Sequence, residues 1–252
     1  MERIEAQFLG NAYARHRHDT YALGVTLRGV QSFWYRGEVR ASLPGQVIIL
    51  HPDEIHDGGA GTEQGLTYRM LYLDPALVQA GLQNAGLPFV AAPVVDDLVL
   101  RSALLEAFGD MDSTLEPLVA DQMVAELAEG LLRRADAPPK RASLLDLVAL
   151  ARVAEVINHA GLQPIRSDEL EAVSGLDRFT LSRQFRARFG TSPHRYLTMR
   201  RVTEGRRLLA AGQSIAAVAA ETGFADQSHF HRHFLKAFGM TPGRWQRLVI
   251  AA

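Results

Sequence analysis

Residues 228 to 245 read SHFHRHFLKAFGMTPGRW, and residues 179 to 196 read FTLSRQFRARFGTSPHRY. Set over one another at an offset of 49, the two stretches are copies. Leu181 falls on Phe230, Arg183 on Arg232, Phe185 on Phe234 and Phe189 on Phe238. Gly190 falls on Gly239, Pro193 on Pro242 and Tyr196 on Trp245. The preceding segments, SDELEAVSG from 167 and IAAVAAETG from 215, match at an offset of 48. Each unit therefore reads as a short helix, a glycine-containing turn, a second helix, and Gly-x-x-Pro opening a third. Two helices joined by such a turn make a helix-turn-helix.

Helical angle, about 100° per residue, sorts each second helix into faces. In the later copy Phe230, Phe234, Ala237 and Phe238 share the face expected to be buried, and Ser228, His231 and Arg232 lie opposite. In the earlier copy Leu181, Phe185 and Phe189 turn inward, and Phe179, Ser182, Arg183 and Arg186 turn outward. A recognition helix touches base edges with residues so placed. Arginine forks to guanine O6 and N7. Gln227 and Ser228, at the helix start, are in reach of bases or phosphates. For any one residue a solvated helix face competes with this reading, and two matched copies weigh against it. The helix between them, Pro193 to Ala211, would be about 28 Å long. That could separate the readers by roughly one turn of DNA, about 34 Å, so that both enter successive major grooves. Arg200, Arg201, Arg206 and Arg207 on it are candidates for phosphates, or for a charged solvent face with Glu204. His229, His231 and His233 cannot converge, because His231 lies about 160° from each of the other two. An i,i+4 pair of histidines can hold zinc. With no third ligand in sight, His229 and His233 are read as helix flank, meeting phosphate or solvent.

The charge balance supports a nucleic-acid partner for one half only. The net charge is -1. From Lys140 onward there are 17 Lys and Arg against 9 Asp and Glu, and before it 10 against 19. A basic half beside an acidic half points to nucleic acid for the basic one. A composition that is 47% hydrophobic and 22% charged is enough to build cores. With 252 residues, about two domains are expected. No apolar run of about 18 residues is present, so no membrane span is expected. MERIEAQFLG carries charge where a signal peptide needs its apolar stretch. The absence of cysteine excludes disulfides and thiolate metal sites and fits a cytoplasmic protein.

Residues 12 to 73 read as short strands with Gly and Pro turns, as in a small sandwich or barrel. YALGVTLRG alternates, a turn falls near Arg36-Gly37-Glu38, another at Pro44-Gly45, and LTYRMLYLDP ends at Asp74-Pro75. Residues 75 to 134 read as helices, in PALVQAGLQ, VVDDLVLRSALLEAFGDM and LEPLVADQMVAELAEGLLRRA. Leu118, Met123, Leu127 and Leu131 form a stripe that packs on the barrel or on a second subunit. ADAPPKRAS, 135 to 143, reads as a linker. Beyond it everything is helical, with stops at Gly161, Gly175, Gly190, Gly212, Gly223 and Gly239. The expected organisation is α+β in two domains. Residues 1 to 134 form a small β-barrel with following helices, and 144 to 252 an all-α domain with two helix-turn-helix units.

SIAAVAAETGFADQSHFHRHFLKAFGMTPGRWQR, from 214, resembles the signature of AraC/XylS-family transcription regulators. The resemblance covers about residues 144 to 252. It implies one DNA-binding domain that reads two adjacent major grooves of double-stranded DNA. Carried over by position, Phe179, Ser182 and Arg183 are the first reader, and Gln227, Ser228, His231 and Arg232 the second. HRHDTYALGVTLRG and LPGQVIILHPDEIHDG resemble the family's cupin-like sensor barrel. The resemblance implies a small-molecule effector in the barrel, helices that pair two subunits into a homodimer, and regulation of transcription, activation included. RNA polymerase is a further candidate partner. Effector candidates are His18, Trp34, His51, Glu54, His56, Tyr68 and Arg69, since small-ligand sites combine apolar walls with a few convergent polar groups. His16, His18 and His56 sit where metal cupins carry ligands. The glutamate that metal cupins place after His-x-His is missing, so no metal or other cofactor is expected. A metal-dependent cupin enzyme and a DNA-binding protein whose barrel only dimerises are the competing readings.

Overall fold

The computed structural model describes all residues except 84, 110, 112–114, 138–144, 160–164 and 251–252, together with the side chains of 11, 12 and 250. The chain divides into two compact units. The first comprises Met1–Ala12, Asp19–Ser143 and Arg188–Gly190, and the second Tyr13–His18, Leu144–Ala187 and Thr191–Ala252. Residues 138 to 143 of the expected linker, and Gly161, lie outside the described residues.

The N-terminal elements are β1 (Glu2–Phe8), β2 (Asn11–His16), β3 (Tyr21–Gly29), β4 (Gln31–Tyr35), β5 (Glu38–Ser42), β6 (Val47–Leu50), β7 (His56–Ala60), β8 (Leu66–Leu73), α1 (Pro75–Gly81), β9 (Val94–Val95), α2 (Leu98–Ala107) and α3 (Pro117–Arg134). They form one sheet in the order β1-β8-β3-β6-β9 and another in the order β2-β7-β4-β5. The Arg36-Gly37 turn joins β4 to β5, with Tyr35 opposite Glu38 and φ of 51° and 91° at the two turn residues. Positive φ at both central residues is the hairpin turn whose twist suits the strands.

β3 sits at the centre, between β8 and β6, and both its faces are buried. Tyr21, Leu23 and Val25 share one core with Leu100 and Leu104 of α2 and with Met123, Leu127 and Leu131 of α3. The apolar stripe of α3 is thus filled by its own unit, except Leu118, which is 80% exposed. Ala22, Gly24 and Thr26 point to the other face, by the alternation of a strand. There Thr26 Oγ1 lies 2.8 Å from Ser42 Oγ of the second sheet. The two sheets therefore enclose a common lumen.

Two elements differ from the sequence reading. β1 pairs along β8 from Glu2↔Tyr72 to Phe8↔Leu66. It is an edge strand, and its charged residues mask the apolar set Ile4, Ala6 and Phe8. Val94–Val95, read as the start of a helix, pairs with Val47 and Ile48. α2 begins after Asp97, whose Oδ1 accepts from Leu100 N at 2.9 Å.

The second unit contains α4 (Leu147–His159), α5 (Ser167–Ser174), α6 (Arg178–Phe189), α7 (Pro193–Ala210), α8 (Ile215–Glu221), α9 (Gln227–Phe238) and α10 (Pro242–Ile250). The pairs α5–α6 and α8–α9 are the two repeat units. Each turn opens on a glycine with φ near +70°, Gly175 at 69° and Gly223 at 71°. A Cβ would strain that backbone. Phe230, Phe234 and Ala237 of α9 are buried with Val202, Leu208 and Leu209 of α7 and Val218 of α8. Gly205 lets α9 approach α7, since a Cβ there would come within 2.6 Å of the Phe230 ring.

Candidate nucleic-acid interface and effector site

The repeat extends from sequence into hydrogen bonds. Asp177 Oδ1 accepts from Phe179 N and Thr180 N, both at 3.0 Å, and so opens α6. Asp226, 49 residues on, accepts from His229 N at 2.6 Å and opens α9. Bonds from the Thr180 backbone first of all hold the Asp177 carboxyl below the usual range. Before each turn a buried hydroxyl donates to the carbonyl four residues back, Ser174 to Leu170 at 2.7 Å and Thr222 to Val218 at 2.6 Å. After each reader Phe185 meets Tyr196, and Phe234 meets Trp245, edge to face at 5.5 and 6.2 Å. The sequence reading passed over the two aspartates, although the same 49-residue offset carries them. Their side chains satisfy N–H groups that a helix start leaves open.

This frame sets the outward faces. Phe179, 77% exposed, stands in the first turn of α6 with Arg183 and Arg186, both exposed and Ser182 partly so. Arg183 Nη2 donates to Thr180 Oγ1 at 3.2 Å, which holds the guanidinium along its own helix. On α9 Gln227, Ser228 and Arg232 are exposed and His231 is half-buried. All eight candidates therefore lie off the buried faces of two capped helices. α7 between them has 18 residues, so it is about 27 Å long.

Four further arginines, all on α7, make contacts within the chain. The Arg200 guanidinium lies 4.7 Å from the Tyr196 ring centre, and that of Arg206 4.9 Å from Phe238. Arg201 Nη1 donates to Gly223 O at 3.3 Å, and Arg207 pairs with Glu204 at 2.7 Å. These four side chains, considered for phosphates, each hold an intramolecular contact. His229 and His233 are also drawn inward. Their Nε2 atoms lie 3.0 Å apart, and both rings lie against Phe224, at 5.3 and 5.5 Å. Burial first, then the neighbouring His229, push His233 down to about 4.

The effector candidates divide into groups. His51 and Glu54 belong to one network at the end of β6. Arg36 Nε donates to Glu54 Oε2 at 2.7 Å, and its guanidinium lies over the Tyr35 and Phe89 rings. His51 Nε2 lies 3.2 Å from Val90 N, and burial pushes this histidine down to about 4. Tyr21 donates to Pro88 O at 2.9 Å, and burial raises its phenol. Residues 88 to 91 are thus tied to Tyr21, Arg36 and His51. Tyr68 and His56 face the lumen, since Tyr68 stands opposite Thr26 and His56 opposite Tyr35. Trp34 lies on the other face of β4 from buried Phe33 and Tyr35. Arg69 turns outward to Glu5 at 2.7 Å and to Phe108 O at 3.1 Å. His16 and His18 belong to the Tyr13–His18 segment, with ring centres 6.2 Å apart. Arg36 and Phe89 were not singled out from the sequence, because only the hairpin turn at Arg36 brings that arginine to Glu54.

A barrel-bearing unit joined to a unit with two capped helix-turn-helix motifs defines a class, the sensor-linked DNA-binding regulator. A family model described as an AraC-like ligand binding domain matches residues 1–141, and a helix-turn-helix domain model matches residues 170–248. The chain belongs to the AraC family of transcriptional regulators. YbfI of Bacillus subtilis, an uncharacterized HTH-type transcriptional regulator, is 22% identical over 222 residues, 86% of this chain and 81% of its own. The transcriptional activator RhaS of Escherichia fergusonii is 26% identical over 251 residues, 95% of this chain and 89% of its own. ToxT of Vibrio cholerae, solved with an unsaturated fatty acid bound, has the same fold, with a TM-score of 0.69 at 13% identity, covering 100% of this chain and 97% of that one. YbfI and RhaS are transcriptional regulators rather than enzymes. No helix among the described residues is long and apolar enough to cross a membrane.

Proposed function

We propose that α6 and α9 read successive major grooves of one operator, and that a small molecule in the N-terminal barrel sets how well they do so. Phe179, Ser182, Arg183 and Arg186 form the first reader, and Gln227, Ser228, His231 and Arg232 the second. The observation that carries this reading is the equivalence of Arg183 and Arg232. Both are exposed, 49 residues apart, on helices opened by equivalent aspartates. The effector acts by favouring one of two arrangements of the chain, since a ligand without differential affinity shifts nothing. The protein works in the cytoplasm as a homodimer and contacts RNA polymerase when it activates. Residues 1 to 134 sense and dimerise, 135 to 143 link, and 144 to 252 bind DNA.

Selection from a random duplex pool, followed by a salt titration on the winning sequence, tests the first part. The expected result is one enriched site whose affinity falls steeply with salt, as phosphate contacts require. No enrichment contradicts it. A thermal-shift screen of metabolites on the whole chain, with each hit added to the DNA assay, tests the second. A hit that leaves DNA affinity unchanged contradicts control by that ligand and favours a barrel that only dimerises.

A further inference from the structure

We propose that the lumen between the two sheets binds a compact, largely apolar ligand carrying one N–H or O–H donor, which bonds to the side-chain carbonyl of Gln31. This rests on the reading of the first unit as an effector-binding domain, and names the chemistry of that effector. Gln31 opens β4 and is 6% exposed. It stands directly opposite Ser42 on β5, and directly opposite residues share a face. Ser42 in turn meets Thr26 of the facing sheet. Gln31 therefore points into the lumen, beside that inter-sheet contact. Its Oε1 is buried, and no donor among the described residues reaches it. A buried carbonyl without a donor destabilises the fold, and a ligand that brings a donor removes that cost. A ligand of the same shape without a donor leaves it in place.

The register also indicates where the ligand body fits. β3 presents Ala22 and Gly24 to the lumen, and Gly24 stands opposite Met70 on one side and Ile48 on the other. A Cβ on Gly24 would lie 2.7 Å from Met70 Sδ and 2.8 Å from its Cε. The Met70 side chain thus lies across Gly24 and takes up the room that the missing side chain leaves. Methionine is unbranched and adaptable, so it fills gaps and repacks readily. Met70 is the displaceable filler of the site. Ile48, Leu50 and Phe33, all buried, give the wall its apolar character. These apolar walls are why the ligand is largely apolar.

The test uses the full chain and matched probe pairs, indole with benzofuran and benzyl alcohol with ethylbenzene, measured by ligand-observed NMR. The donor of each pair is expected to bind at least about tenfold tighter than its partner. That advantage should vanish in Gln31→Met, and Met70→Ala should tighten binding of the bulkier indole. Equal binding within both pairs, no binding of either donor, or an advantage that survives Gln31→Met overturns the proposal. The wild-type comparison decides the matter even if a variant does not fold. Donor binding without any effect on DNA affinity would overturn the regulatory reading and leave this site standing. Failure of the probes beside intact, specific DNA binding would do the reverse.

Discussion

The two helix-turn-helix units share a frame but are held by different forces. In the first, Glu171 of α5 accepts from Arg178 N at 2.6 Å and pairs with its Nε at 3.3 Å. A polar contact at a partly exposed position therefore locks the turn. In the second, the turn carries Phe224, which meets Phe230 at 5.4 Å and both histidines of α9. Phe230, Phe234 and Phe238 continue the contact edge to face, at 5.5 and 4.7 Å. The first unit has Leu176 and Leu181 at the positions of Phe224 and Phe230. Apolar area and ring geometry thus dominate the second unit, and an ion pair supplements the first. Two equivalent exposed arginines, Arg183 and Arg232, thus stand on helices with unequal supports.

The largest way to break this comparison is Phe234→Ala. It should cost about 3–5 kcal/mol in chemical denaturation, because a fully buried ring leaves a cavity among close neighbours. A cost below that range would mean that the aromatic chain is not the main support of α9. Glu171→Gln should cost less than about 1 kcal/mol, the range of exposed ion pairs, and the loss should shrink further in high salt. A larger, salt-insensitive loss would place the two units on the same footing.

Acid sharpens the contrast further. His233 has a folded value near 4, below its ordinary 6.5, because burial disfavours its charged form. The unfolded chain therefore takes up the proton first. Stability from this group is complete above about pH 6.5 and is lost as pH falls towards 4. The equivalent positions in the first unit are Thr180 and Gln184, which do not titrate. Amide exchange should thus quicken in α8 and α9 between pH 7 and 5, relative to α5 and α6, after correction for intrinsic rates. Parallel change in both units would contradict this assignment.

Much of the helical half was legible because its signals are local. Phenylalanines at helical spacing and glycines at the turns stand close together within each unit, and the whole pattern recurs at an offset of 49. The caps at Asp177 and Asp226 obeyed the same offset. The Arg207–Glu204 pair was one of the alternatives legible in the sequence, whereas the contacts of Arg200, Arg201 and Arg206 with Tyr196, Gly223 and Phe238 were not, because rotamer and helix packing decide them. The barrel was readable as strands but not as a site. Whether Trp34 or Gln31 faces the lumen depends on a one-residue register, which flips every side chain of a strand. β1 escaped because an edge strand with alternating charge looks polar when read alone.

The central claim is that two equivalent arginines read two separate parts of one operator. It is tested most directly by measuring the affinity of wild type, Arg183→Ala and Arg232→Ala for the selected duplex and for every single base-pair change in it. Each variant should lose about 1–3 kcal/mol and become indifferent to base identity at its own position, one helical turn from the other's. If both variants keep the wild-type base preferences, or both lose them at the same position, the account of two readers is wrong.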